Sequence, residues 1–271
     1  VIEAYADYDD DRPERSDEAL RRLVLPGSSV GGARPKAAVV RDDHMWIAKF
    51  SRTGDPFDYP RAELATMQLA RRCGISVPAV DHRVVGDRSA FLVERFDRSG
   101  STRVHVNSML TVLGETELSF FHSSYMDMAD ACVAHVRDHD AVRRELFRRM
   151  VFNGLSSNDD DHLRNHALIW VPERGFDLSP AYDLVANPAA ASPPRLSIGC
   201  GLDESGRVTR TFTLDGALRA ASRFGLAVEE ARRIVNEVQN GLRCWEDVFS
   251  STGMRRRSID AFARAFDGIG R

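Results

Sequence analysis

The segment Asn158-Asp159-Asp160-Asp161-His162-Leu163-Arg164-Asn165 constrains this chain more than any other. It belongs to a polar stretch, Asn153 to Asn165, between a helical run, Ala141 to Phe152, and an apolar strand run, His166 to Val171. Gly175 to Leu178 pairs with that strand across Pro172-Glu173-Arg174, and Pro180-Ala181-Tyr182-Asp183 follows. The pattern predicts a polar loop, then a strand pair, then an aspartate 18 residues beyond Asn165.

This is the residue set that phosphoryl transfer requires. A carboxylate must orient the attacking hydroxyl and accept its proton, and oxygen ligands must hold Mg²⁺ against the transferring phosphate. Protein-kinase catalytic loops supply these as Asp-x-x-x-x-Asn with a second Asp after a short strand pair. Asp160 and Asn165 have that spacing, whereas Asp159 and Asp161 do not, and Asp183 falls where the second metal ligand belongs. The bland alternative is an ordinary Asp- and Asn-rich turn. A kinase also needs a strand lysine for the nucleotide phosphates and a helix glutamate to hold it. Lys49 sits in the apolar strand Met45 to Phe50, and Glu63 opens the next helix. On the opposing reading Lys49 faces solvent from an edge strand while Ala48 and Phe50 face inward. The Gly/Ser loop Ser28 to Lys36 can cover phosphates with backbone N–H groups, though it is neither Gly-x-Gly-x-x-Gly nor a Walker loop. The pairs His162/His166 and His135/His139 have zinc-like spacing but lack the helix and glutamate of a zinc motif. No Gly-x-Ser-x-Gly elbow supports a serine hydrolase.

Around this site the chain divides in two. Residues 1–20 form an acidic lead-in, expected to be poorly ordered. Residues 21–97 read as a small sheet carrying one helix. The strands are Ala37 to Arg41, Met45 to Phe50 after a turn at Asp42-Asp43-His44, Val77 to Val85 and Ser89 to Phe96. The helix runs from Arg61 to Cys73, with Pro60 before it and Gly74 after it. Residues 98–271 read as mostly helical, at Tyr125 to Val136, Ala141 to Phe152, Leu214 to Arg223, Val228 to Trp245 and Ser258 to Phe266. An α+β, bilobal architecture is expected. With 271 residues, 43% hydrophobic and 28% charged, the chain can bury a substantial core, and net charge −3 argues against a surface made for nucleic acid or anionic membrane. The arginines at 143, 144, 148 and 149 and at 255–257 read as solvated helix faces. Four dispersed cysteines suggest reduced thiols in a cytoplasmic protein, and no apolar run approaches a membrane span.

Four ordered stretches carry a resemblance. Ser29-Val30-Gly31-Gly32-Ala33-Arg34-Pro35-Lys36, Glu94-Arg95-Phe96-Asp97-Arg98, Asp160 to Asn165 and Pro180-Ala181-Tyr182-Asp183 resemble the HipA toxin kinases in order and spacing. The resemblance covers Leu23 to Asp183 and weakens in the helical tail. It implies a bacterial toxin–antitoxin serine/threonine kinase with a divergent protein-kinase fold, using ATP and Mg²⁺. Asp160 then corresponds to the catalytic base, Asn165 and Asp183 to the magnesium ligands, and Lys49 to the phosphate lysine. Gly31, Gly32, Ala33, Arg34, Pro35 and Lys36 correspond to the phosphate loop, and Glu94, Arg95 and Phe96 to the adenine hinge. His162, Leu163, Arg164 and Tyr182 accompany them in the nucleotide site. Ser29 matches the serine such kinases phosphorylate in themselves. The family's targets are aminoacyl-tRNA synthetases. Its usual partner is a helix-turn-helix, HipB-like antitoxin, through which DNA contact would be indirect.

The departures are specific. Arg34-Pro35 replaces Gln-Glu or Gln-Pro, and Arg164 stands where lysine is common, exchanging a point charge for a planar fork. Asp161 replaces a small residue, adding a charge able to raise the pKa of Asp160. The family's N-terminal subdomain has no counterpart before Leu23, so either a fragment or a split system is expected, and Val1 with the acidic lead-in favours a fragment. Two other readings share the motif: an aminoglycoside-type small-molecule kinase, and a nucleotide-binding pseudokinase serving as a co-repressor.

Overall fold

The computed structural model describes residues 34–270 except 53, 86–87 and 101, which leaves the acidic lead-in outside the described residues. The chain begins its sheet with β1 (Lys36–Arg41) and β2 (His44–Phe50), an antiparallel hairpin. Its two turn residues, Asp42 and Asp43, both have positive φ, 50° and 62°. A two-residue hairpin needs that backbone to match strand twist, and short polar side chains tolerate it. His44, expected in the turn, pairs with Arg41 as the first strand residue. β3 (Val80–Val85) and β4 (Arg88–Glu94) complete a four-stranded antiparallel sheet of order β1-β2-β4-β3. Its period-two alternation separates two faces. Ala48 and Phe50 join Ala37, Val39, Ala90 and Leu92 in a small cluster on one face. Lys49 stands on the other, paired in register with Phe91.

That second face is covered by α1 (Tyr59–Arg72). The Asp58 side chain accepts the Arg61 amide at 3.1 Å, Pro60 sits in the first turn, and Gly74 at φ 79° ends the helix. This is the usual capping logic, with orphan N–H groups satisfied at one end and a left-handed residue at the other. Leu64, Met67 and Ala70 of α1 are buried.

A short strand pair, β5 (Arg98–Ser99) and β6 (Thr102–Arg103), leads into the helical half. There β7 (Val106–Ser108), β8 (Ala167–Val171) and β9 (Gly175–Leu178) form an antiparallel sheet of order β7-β8-β9. Between β7 and β8 come α2 (Met109–Val112), α3 (Tyr125–His135) and α4 (His139–Leu155). The tail adds the small pair β10 (Gly201–Leu202) and β11 (Val208–Thr209) and the helices α5 (Leu214–Ala220), α6 (Val228–Leu242), α7 (Trp245–Ser251) and α8 (Arg256–Ala261). The helix expected from Val228 to Trp245 is broken at Leu242. Trp245 begins α7 instead and stacks on Phe266, with ring centroids 4.7 Å apart. Among the described residues no helix is long and apolar enough to cross a membrane.

One core runs through both halves, from Ala62 of α1 to Ile269. α4 lies at its centre: every residue from Arg149 to Leu155 is buried. The arginines of α4 divide: Arg144 is exposed, as expected of a solvated face, Arg143 and Arg148 are half-buried, and Arg149 is buried. Arg144 pairs with Glu230 at 2.7 Å and Arg148 with Glu237 at 2.7 Å, tying α4 to α6. Arg149 is 2% exposed and donates to Glu145 at 2.9 Å and to the Ser179 carbonyl at 2.8 Å.

The last turn of α4 passes against Phe212 at Gly154, where an added Cβ would lie 2.2 Å from the ring. Gly154→Ala gains about 1 kcal/mol of helix propensity. Overpacking of this kind costs roughly 1–3 kcal/mol, so a net loss of stability is expected, read as a lower urea midpoint at unchanged slope. A raised midpoint would show that Phe212 yields without cost.

Candidate active site

The site begins with a charge on an apolar strand. Lys49 is 14% exposed, and an ammonium so placed needs partners. Glu63 of α1 accepts from its Nζ at 2.5 Å and Asp183 accepts at 2.6 Å. Burial works against the charged lysine, but Glu63 and Asp183 outweigh it and hold its pKa above the ordinary value. The same contact works in reverse on Asp183. Loss of solvation opposes its charge, yet Lys49 holds its carboxyl below the usual range. Asp183 has φ 61°, a left-handed backbone that a non-glycine residue adopts at some cost. Its side chain is 47% exposed and opens into the cleft.

The loop between α4 and β8 supplies the facing wall. The Asn165 side-chain amide donates to the Asp160 carbonyl at 3.2 Å, and the Asn165 backbone N–H donates to the His162 carbonyl at 2.9 Å. These bonds curl the loop so that Asp160 and Asn165 lie close together. Asp160 lines the cleft with its pKa raised, chiefly by burial and further by the charges of Asp183, Asp159 and Asp161, against the pull of His162. Asp159 is occupied elsewhere: both its carboxylate oxygens accept from the Asn187 amide, at 2.9 and 3.0 Å. Asp161 points into the core, at 0% exposure, and accepts from the Tyr125 hydroxyl and from His166 Nε2 at 2.8 Å. Its effect on Asp160 has the direction expected from the sequence and comes last among the causes.

The cleft has a volume of about 470 Å³. Its walls bring together Arg34, Lys36, Lys49, Asp160, His162 and Asp183 from the residues expected in the site. Lys36 is the cross-strand partner of Lys49, and burial, then Lys49, lower its pKa. Arg34 makes a bidentate pair with Asp55 at 2.9 and 3.0 Å and lies over the Tyr59 ring at 3.5 Å. Pro35 is backbone only in this arrangement, its carbonyl accepting from Phe50. Ser29, Gly31, Gly32 and Ala33 lie outside the described residues.

Other expected residues stand apart from the cleft wall. Glu94 pairs with His44 at 2.5 Å, and the Arg95 guanidinium is committed to Asp97 at 2.7 Å. Phe96 stands 5.3 Å from the Tyr182 ring, which joins the strand-end segment to the residue before Asp183. The Tyr182 hydroxyl donates to the Arg164 carbonyl at 2.6 Å. Leu163 is buried, and Arg164 turns to pair with Glu117 on the far side of His162. His166 is bound to Asp161, so the His162/His166 spacing does not make a metal pair. Sequence reasoning missed Phe57, Tyr59 and Asn187 in the cleft. Aromatic residues beside Pro60 and an Asn-Pro dipeptide carry no such signal by themselves.

Among the described residues no group of three or more His, Cys, Asp or Glu is arranged to hold a metal ion. Magnesium bound through one or two carboxylates plus nucleotide phosphates needs no such group. Asp183 lines the cleft with Asp160 and offers a carboxylate donor, whereas Asn165 is buried behind the loop, bonded to the Asp160 carbonyl, and does not line the cleft. The Asp183 carboxylate is a hard oxygen donor of the kind Mg²⁺ takes.

Comparison with known proteins agrees with this geometry. A protein of Haemophilus influenzae, named provisionally as a kinase, is 28% identical over 189 residues, 59% of this chain and 53% of its own. The serine/threonine-protein kinase toxin HipA of Shewanella oneidensis is 29% identical over 144 residues, 46% of this chain and 33% of its own. The chain thus spans about half or less of the length of the curated relatives it matches. HipA of Shewanella oneidensis, solved in complex with HipB and its operator DNA, superposes with a TM-score of 0.69 at 19% identity, over 89% of this chain and 63% of that one. That likeness shows the fold, an α+β, bilobal, kinase-like architecture. The HipA-like C-terminal domain matches residues 28–245, a region that includes Lys49, Glu63, Asp160, Asn165 and Asp183, and this chain belongs to that family.

Proposed function

We propose that this chain is the catalytic region of a cytoplasmic serine/threonine protein kinase of the HipA type, transferring the γ-phosphoryl group of ATP to a protein hydroxyl. The observation that carries the reading is the contact of Lys49 with Glu63 and Asp183 across a cleft that Asp160 faces. A strand lysine, a helix glutamate and an aspartate after a strand pair are the parts a kinase must bring together. On this reading residues 21–97 serve as the nucleotide lobe, with Gly31 to Lys36 as its phosphate loop and Glu94 to Phe96 as its hinge. Residues 98–271 serve as the lobe that holds the acceptor.

The chemistry then follows from positions. Lys49 and Lys36 would face the phosphate oxygens, while Asp183 and Asn165 would hold Mg²⁺. Such an ion would supply neutralisation of the charge on the transferring phosphate. Asp160 orients the acceptor hydroxyl and takes its proton as the hydroxyl oxygen bonds to the γ-phosphorus. The bond between that phosphorus and the β–γ bridging oxygen breaks, and ADP leaves. The raised pKa of Asp160 suits a base that must accept and later release a proton. The named relatives support a kinase, and the HipA–HipB complex supports a helix-turn-helix, HipB-like antitoxin as partner, with DNA reached through it. An aminoacyl-tRNA synthetase as target and Ser29 as a site of self-phosphorylation complete the proposal.

Asp160→Ala should bind ATP within about twofold of wild type yet lose roughly 10²–10⁴-fold in transfer rate, the usual weight of a general base. Transfer at the wild-type rate would remove Asp160 from the chemistry. Asp183→Ala takes away both a metal ligand and a partner of Lys49. Calorimetry should show weaker ATP binding that no longer responds to Mg²⁺, and an intact magnesium response would count against the assignment. Incubation with MgATP followed by peptide mass spectrometry should find one phosphate on Ser29, absent in Asp160→Ala. ATP binding with phosphate appearing only on an added small molecule would replace the protein-kinase reading.

A further inference from the structure

Two residues that flank the proposed chemistry are bonded to each other inside the protein. Asp161 follows Asp160, and His166 follows Asn165. Their side chains meet in the core, His166 Nε2 donating to the Asp161 carboxylate at 2.8 Å, with both residues at most 2% exposed. This bond closes the loop from within, while Asp160 faces the cleft.

The pair is one end of a longer chain of hydrogen bonds. The Tyr125 hydroxyl of α3 donates to Asp161 and accepts from the Asn153 amide of α4 at 2.8 Å. Asn153 Oδ1 accepts from the Asn158 amide at 3.1 Å, and Asn158 Oδ1 accepts from the Val185 N–H at 3.4 Å. Val185 lies two residues beyond Asp183. One buried run of side chains thus connects the segment of Asp183 to both sides of the loop that carries Asp160 and Asn165. Burying these groups costs free energy unless each is paired, and pairing makes such a network rigid; within it His166 Nδ1 has no partner among the described residues.

We propose that Asp161, His166 and Tyr125 are positioning residues that fix the spacing of Asp160, Asn165 and Asp183. Asp161 accordingly acts through its bonds in addition to its charge. The catalytic consequence rests on the kinase reading above, whereas the ordering of the loop does not. Displacement of reacting groups by about 1 Å can cost 10²-fold in rate, so small relaxations here matter.

The test compares His166→Ala, His166→Gln and Tyr125→Phe with wild type, measuring transfer kinetics and hydrogen exchange of the peptide spanning 159–166. Glutamine keeps a donor able to reach Asp161; alanine does not. His166→Ala should lose up to about 100-fold in kcat with the KM for ATP little changed, and should exchange faster across the loop alone. His166→Gln should recover most of both effects, and Tyr125→Phe should behave as a milder His166→Ala. A folded His166→Ala with wild-type kcat and loop protection overturns the proposal. Should His166→Ala not fold, His166→Gln and Tyr125→Phe decide it, and an unperturbed Tyr125→Phe counts against it. A wild type that transfers no phosphate refutes the kinase reading instead. Loop exchange then decides the positioning claim alone, and unchanged protection in the variants overturns it.

Discussion

An ammonium group on an apolar strand is the constraint around which the two halves are arranged. Lys49 comes from β2, Glu63 from α1 and Asp183 from the segment after β9, and the three meet within hydrogen-bond distance. Ion pairs withdrawn from water seldom stabilise a fold, because the desolvation cost rivals the attraction, but removing one partner strands the other. The triad is better understood as a specification. It ties the sheet, the helix and the Asp183 segment together through one side chain. The left-handed backbone of Asp183 fits that view, since such strain persists only where the surroundings over-determine it. The Thr66 hydroxyl adds a second tie between α1 and this segment by accepting from the Ala186 N–H at 3.1 Å.

Below the cleft the buried chain from Val185 to His166 does with hydrogen bonds centred on the Asp161 carboxylate what Lys49 does above with an ammonium. Both devices converge on the same short segment, 183–186, one from the sheet side and one from the helical side. Arg149 reinforces it from α4 by donating to the Ser179 carbonyl, just before the chain turns toward Asp183.

Much of this was legible because period and spacing carry it. The Asp-x-x-x-x-Asn spacing, the strand pair and the helix between Pro60 and Gly74 stand where the pattern puts them. The two readings of Lys49 show where pattern stops. Ala48 and Phe50 do face one way and Lys49 the other, as period two demands. That other face is covered by α1 and not by water, which alternation cannot express. Asp161 does add a charge that raises the Asp160 pKa, as expected, but its burial and its bonds to Tyr125 and His166 were not legible, because the direction of a side chain within a loop has no period to reveal it. Asn153 looked like loop, since its polarity hid a helix that continues to Leu155. Arg149 looked like part of a solvated face because a run of four arginines does not tell which of them turns into the core where the second half of α4 becomes buried all round.

The arginine that departs from the family's loop pattern is explained by the same attention to partners. Arg34 might be counted as a third cation facing the phosphates, but its guanidinium is held bidentately by Asp55 and stacked on Tyr59. Planar two-pronged pairing of this sort commits the group to one geometry in a way a lysine would not be committed. The cations left to face the cleft are Lys36 and Lys49, and they are cross-strand neighbours whose charges repel. Lys49 is already compensated by Glu63 and Asp183, so Lys36 carries the unmet charge. The cleft thus sets like charges of both signs near one another, Lys36 beside Lys49 and Asp160 facing Asp183.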